Sequence, residues 1–141
     1  MNKIMALDVG TKRIGVALSD YLQVIAIPSV CIPREPEKKA IEEITRIAKE
    51  NRVEKIVVGV PVNMDGTFGF QAQNCIDFSQ KLHGFDIILE DERLTSEEAE
   101  ERLRRRKVDF RKNKGLVDIE SACVILEQYL GKWLWAKKIK I

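Results

Sequence analysis

The chain has 141 residues, 45% of them hydrophobic, and a formal net charge of +2. That length fits one domain with a core of its own, residues 1–141, ending in a basic tail over about 131–141. So small a charge does not by itself announce a polyanion partner through the whole-molecule field, and no apolar run approaches the ~18 residues of a membrane span.

Cys31, Cys75 and Cys123 are far apart and odd in number, with no close pair that suggests zinc. They read as small buried residues of a reducing compartment. With no secretory signal pattern at the N-terminus, a soluble cytoplasmic protein is expected. The charges are unevenly placed. Residues 90–101 carry seven acids against Arg93, and residues 102–114 carry eight bases against Asp109. Such blocks mark either a solvated helix face or a track for phosphates.

In chain order, residues 3–9 read as a first strand, apolar enough to be central and covered on both faces. A turn, Gly10-Thr11-Lys12-Arg13, leads to a second strand over 13–19. A third spans 23–32, where Pro28 predicts an edge position or a bulge. A helix follows over about 36–50, with Ala40, Ile41, Ile44, Ile47 and Ala48 on one face. Residues 55–60 form a buried strand, parallel to the first and ended by Pro61. Asn63-Met64-Asp65-Gly66 has the composition of a turn.

The spacing next predicts a helix over about 69–83, burying Ala72, Cys75, Ile76, Ser79 and Leu82, with His83-Gly84 closing it. A fifth strand over 85–90 ends at Glu90-Asp91-Glu92. Thr95 and Glu98 have the spacing of a capping box and open a charged helix to about 106. Residues 107–116 lack an apolar period and read as a mobile loop. A last helix over about 118–130 buries Ile119, Ala122, Cys123, Leu126 and Leu130. The tail from Lys132, with Trp133 and Trp135, alternates basic and apolar residues and reads as an added strand or a docking segment.

This order specifies an α/β fold: a mixed central five-stranded sheet flanked by helices on both faces. Sites in such sheets collect beyond the carboxyl ends of parallel strands. Asp8, Asn63 and Glu92 each follow a strand, and Asp118 opens the last helix, so four polar positions converge on one edge. Buried carboxylates need compensation, and the natural compensators here are a metal ion on Asp8 and a phosphate on Lys12 and Arg13. Cleavage of phosphodiesters by two metal ions needs carboxylates that hold the ions ~3.5–4 Å apart. Without metal, acids within ~5 Å of one another would repel by about 3 kcal/mol per pair at an effective dielectric near 20. At least one of them is therefore expected to have a raised pKa. By parity alone Glu92 competes with Glu90 and Asp91, and Asp118 has an alternative as a helix N-cap.

Four stretches resemble the YqgF family, whose members are described as Holliday junction resolvase-like proteins and as candidate pre-16S rRNA nucleases of RNase H-like fold. They are Asp8-Val9-Gly10-Thr11-Lys12-Arg13-Ile14-Gly15-Val16-Ala17, Gly59-Val60-Pro61-Val62-Asn63-Met64-Asp65-Gly66-Thr67, Asp91-Glu92-Arg93-Leu94-Thr95, and Val117-Asp118 with Ser121-Ala122 and Ile125-Leu126. The resemblance spans nearly the whole chain in order. It departs in small ways, such as Val60 and Val62 where leucine is common, and in none of the acids. It implies Asp8, Glu92 and Asp118 as catalytic acids and ligands of magnesium or manganese, in a two-metal site with Asp8 between the ions. It implies Lys12, Arg13, Asn63 and Arg93 as contacts to nucleic acid.

The function expected on this basis is metal-dependent endonucleolytic hydrolysis, in processing of the 5′ end of precursor 16S ribosomal RNA. The alternative is a resolvase of four-way DNA junctions, which needs two paired sites and so a homodimer. Asp-x-Gly-Thr also resembles the first phosphate loop of actin-like ATPases and sugar kinases, but those enclose ATP between two such domains and this length provides one. A binder without catalysis would gain nothing from three carboxylates.

Overall fold

The computed structural model describes residues 2–92 and 95–139, with side chains as far as residue 132. The elements run β1 (Lys3–Val9), β2 (Arg13–Ser19), β3 (Ala26–Pro33), α1 (Glu37–Glu50), β4 (Val53–Val60), α2 (Phe70–Ser79), β5 (Asp86–Asp91), α3 (Thr95–Arg105) and α4 (Gly115–Ile139). The sheet order is β3-β2-β1-β4-β5. β2 runs antiparallel to both β1 and β3, whereas β4 is parallel to β1 and β5. The mixed five-stranded sheet is thus as expected. β3 is an edge strand, and its register slips between the partners of Gly15 and Ala17, where Pro28 cannot donate to the ladder.

Period two divides the strands between two cores. Met5, Leu7, Val9, Ile14, Val16, Ile56 and Val58 pack under Ala40, Ile44 and Ile47 of α1 and Cys75 and Phe78 of α2. Ile4, Ala6, Ala17 and Val57 pack under Ala122, Cys123, Ile125, Leu126 and Leu130 of α4. Asp8 has the parity of Ile4 and Ala6, so it belongs to the face that α4 covers.

Several expectations are corrected. α2 ends at Ser79; it buries Ala72, Cys75 and Ser79 as expected, and with them Phe78 in place of the half-buried Ile76. Burying a phenylalanine contributes about 1.5–3 kcal/mol, so the larger ring takes the core position. Ile41 and Ile119 are likewise only partly buried. The capping box does not form: the Thr95 hydroxyl donates to Glu92, while Glu98 pairs with Arg102. The expected loop over 107–116 is present from 107 to 114, where turns brace it, and only its last two residues belong to a helix. There the Val108 N–H donates to Leu103 O at 2.9 Å and the Asn113 N–H to Phe110 O at 3.2 Å. α4 begins at Gly115 and continues to Ile139, so the tail is helical rather than a strand. The side chains of Trp133 and Trp135 lie outside the described residues. Cys75 and Cys123 are buried as expected; Cys31 is half-buried. Among the described residues no helix is long and apolar enough to cross a membrane.

Candidate active site

β1 delivers Asp8 to its carboxyl end, and the chain then turns sharply. The Gly10 N–H donates to Arg13 O at 2.8 Å, closing the turn. The turn is braced from below by Arg34, a buried side chain that sequence reasoning passed over. The Arg34 N–H donates to Lys12 O at 2.9 Å. Its guanidinium donates to Gly10 O at 3.4 Å, and to Glu37 and Asn74 at 3.2 Å each. It also lies over the Phe78 ring, 4.7 Å from the centroid. α2 secures the end of the strand, where the Gln71 amide donates to Val9 O at 3.0 Å and the Cys75 thiol to the same oxygen at 3.4 Å.

Glu92 follows β5 and lies within hydrogen-bond reach of Asp8. Burial is the main cause that pushes both carboxyls up, Asp8 to about 7 and Glu92 to about 8. Asp118 adds to the rise at Asp8, and Asp8 adds to the rise at Glu92. The Thr95 hydroxyl, 3.3 Å from Glu92 Oε2, partly offsets the effect at Glu92. The expectation of at least one raised acid therefore holds for two. Of the competitors at the end of β5, Glu90 is buried and paired with Lys132.

Two glycines make room for this arrangement. Gly15 is the register partner of Asp8 on β2, and a Cβ there would stand 2.0 Å from the carbonyl oxygen of Asp118. On β4, a Cβ at Gly59 would stand 2.7 Å from Glu92 Oε2 and 2.5 Å from Ile125 Cδ1. The absent side chains let α4 settle on the sheet beside Asp8 and let Glu92 lie across β4.

Asp118 sits in the first turn of α4, three residues inside it, so it is not an N-cap. Its Oδ2 accepts a hydrogen bond from Arg13 Nε at 2.6 Å, across 105 positions of sequence. Both side chains keep some exposure, 36% and 21%, so the pair is worth at most ~1 kcal/mol. The Cys31 thiol lies 3.9 Å from the same oxygen. Burial, with a smaller contribution from Asp118, pushes that thiol up. Of the expected trio, then, two acids meet and the third is held by an arginine. Among the described residues no three of His, Cys, Asp and Glu are grouped closely enough to hold an ion together.

The Asp8–Glu92 pair nonetheless suits a hard divalent cation. Both offer oxygen donors, and a cation between them would offset the burial and repulsion that push their carboxyls up. Asp118 would join only if Arg13 let it go. The remaining expected contacts are dispersed. Lys12 is exposed on the turn. Asn63 is exposed, and its amide is bonded within its own loop to Thr67 Oγ1 at 3.0 Å. Arg93 lies outside the described residues. The basic block of α3 is largely paired. Arg102 bonds Glu98 at 3.1 Å and Glu127 at 2.6 Å, Arg105 bonds Glu101 at 3.3 Å, and Arg106 bonds the buried Glu120 at 3.1 Å. Those arginines fasten α3 to itself and to α4.

The mixed sheet that carries this carboxyl pair at the carboxyl ends of β1 and β5 has an RNase H-like fold. Two solved structures share the fold. The Fowlpox virus resolvase, solved with substrate Holliday junction DNA, aligns with a TM-score of 0.60 at 14% identity, over 94% of this chain and 99% of that one. Thermus thermophilus RuvC, solved with a Holliday junction substrate, aligns with a TM-score of 0.59 at 10% identity, over 95% and 96%. The chain belongs to the RuvX family, described as Holliday junction resolvase, whose model matches residues 2–132. Relatives named as candidate pre-16S rRNA nucleases are 43% identical over 131 residues. One is from Crocosphaera subtropica (91% of this chain, 92% of the relative) and one from Clostridioides difficile (91% and 93%).

Proposed function

We propose that this protein is a metal-dependent endonuclease that cleaves RNA, with precursor 16S ribosomal RNA as its substrate. The observation that carries the reading is the half-buried Asp8–Glu92 pair: burial pushes both carboxyls up, with Asp118 adding to the rise at Asp8 and Asp8 to the rise at Glu92. Such a pair is costly to a fold and useful to a cation. Magnesium or manganese, when bound, supplies positive charge for the phosphate and for the oxygens that attack and leave.

The chain's own residues do the rest. Asp8 and Glu92 hold the cation, and Asp118 extends the acidic surface towards α4. The turn presents Lys12 and Arg13 to the substrate backbone. A phosphate arriving at Arg13 competes with Asp118 for one guanidinium, so substrate binding releases an acid as the substrate is seated. The relatives' names support RNA as the polymer.

The test uses the purified protein and its Asp8→Asn variant, with precursor-rRNA-like RNA and a four-way DNA junction, in magnesium and then manganese. RNA cleavage that disappears in Asp8→Asn is expected. Full activity in Asp8→Asn would falsify the assignment of the acids. Symmetric cutting of the junction alone would favour the second reading, a junction resolvase, which the description of the family supports. That reading also requires a homodimer, which sedimentation would detect.

A further inference from the structure

Beside the acids, a groove of about 440 Å³ runs between α3 and the turns over 107–114. Arg13 and Asp118 line it towards the catalytic edge, Ser96 and Glu100 line the α3 side, and Phe110, Arg111 and Lys114 line the other. Its volume falls in the ~300–1,000 Å³ range of pockets that take small ligands. The pairing pattern separates this groove from the basic block of α3. Arg111 is 85% exposed, and its Asp109 partner lies on the same turn. Lys114 is exposed as well. Phe110 is held in place by the turn: its carbonyl accepts from Asn113, and the Arg104 guanidinium lies over its ring, 5.6 Å from the centroid.

We propose that this groove is a subsite for one unpaired nucleotide next to the scissile phosphate, with the base stacked on Phe110 and its phosphates met by Arg111 and Lys114. The inference rests on the nuclease reading above and adds where the strand lies. Three features support a nucleotide. An aromatic side chain lines the groove, cations flank it, and it opens on the Arg13–Asp118 pair. Single-stranded nucleic acid is held by this combination of basic wall and stacking platform, and any base can use the platform. The preference that follows is for unpaired rather than duplex nucleic acid at this position.

The experiment uses the full chain carrying Asp8→Asn, so that nothing is cut, and a short oligouridine with one 2-aminopurine at its centre. Binding is read by titration, and stacking by quenching of the 2-aminopurine. Phe110→Ala and Phe110→Leu should weaken binding by about tenfold, within the range measured for loss of one stacked base, and abolish the quenching. Phe110→Tyr should keep both. The leucine variant preserves apolar cover over the turn, so a loss there reports the missing ring face. Lys114→Ala should lower the slope of log affinity against log salt by about 0.7, as expected for one phosphate contact on a single strand. Unchanged affinity and quenching in Phe110→Leu would overturn the subsite while leaving the nuclease reading intact. Phe110-dependent binding of a single-stranded DNA of the same length but not of RNA would retain the subsite and overturn the RNA reading. A parent that binds neither would overturn both.

Discussion

Replacing Gly15 with alanine tests the seating of α4 more directly than any change to an acid. The new Cβ would lie 2.0 Å from the Asp118 carbonyl oxygen and 2.8 Å from the Ile119 nitrogen, both backbone atoms that cannot swing aside. The helix must retreat until the contact reaches at least 3.0 Å, a shift of about 1 Å. A gap of 0.5–1 Å forfeits about a quarter to a half of the dispersion energy of the contacts it opens. Here those contacts join Ile4, Ala6, Ala17 and Val57 to α4. With the usual cost of overpacking, the loss should be about 3 kcal/mol. Asp118 moves with its helix, and under the proposed role of that acid a displacement of ~1 Å costs about 10²-fold in rate. Urea unfolding in the presence of a chelator gives the first number and cleavage of labelled RNA the second. A Gly15→Ala protein within ~0.5 kcal/mol of wild type and equally active would refute the close approach of α4 to β2.

Four other outcomes are expected. In metal-free protein the folded state keeps protons on Asp8 and Glu92 that the unfolded chain releases near its ordinary carboxylate pKa. Stability should therefore fall as pH rises from about 4 to 8, and Asp8→Asn should flatten this fall and be the more stable protein at pH 8, as read by urea midpoints at successive pH values. Magnesium should raise the melting temperature of the wild type at pH 8 and leave Asp8→Asn unmoved; an equal rise in both would place the ion elsewhere. Arg13→Gln should cost less than ~1 kcal/mol of stability, since the pair with Asp118 is partly exposed, but raise KM for RNA if the proposed contact of the guanidinium with the substrate backbone is made. Gly59→Ala should displace Glu92 or Ile125 and weaken magnesium stabilisation, which calorimetric titration of metal measures.

The sheet was legible because its apolar runs are unusually clean. Alternation along residues 3–9 and 53–60 separates Met5, Leu7 and Val58 from Ile4, Ala6 and Val57, and the two helical layers follow. The pairing of Asp8 with Glu92 was legible through motifs at strand ends. What the sequence hid are contacts made over long separations. Nothing local to Asp118 announces Arg13, and nothing in Pro33-Arg34-Glu35-Pro36 announces a buried arginine under the Gly10 turn. Thr95 illustrates a competition that composition cannot decide: its hydroxyl has two glutamates within reach in sequence, and the fold turns it to Glu92. The start of α4 was hidden because glycine is a poor helix former, yet Gly115 begins it. Gly115 is buried, and a Cβ there would stand 3.2 Å from Cys31 Sγ, so packing outweighs propensity.

The last long element, α4, has a consequence for the order of events during synthesis. Everything that covers the Met5–Leu7–Val58 face, α1 and α2, has been made by residue 82. The opposite face, with Ile4, Ala6, Ala17 and Val57, has no cover until residues 122–130 are available. A nascent chain therefore carries one covered and one bare side of its sheet while well over a third of it is still to come, a period of exposed apolar surface that invites chaperones. The same delay separates Asp118 from Asp8, so a partly made chain of this nuclease would lack its third acid while still held at the ribosome.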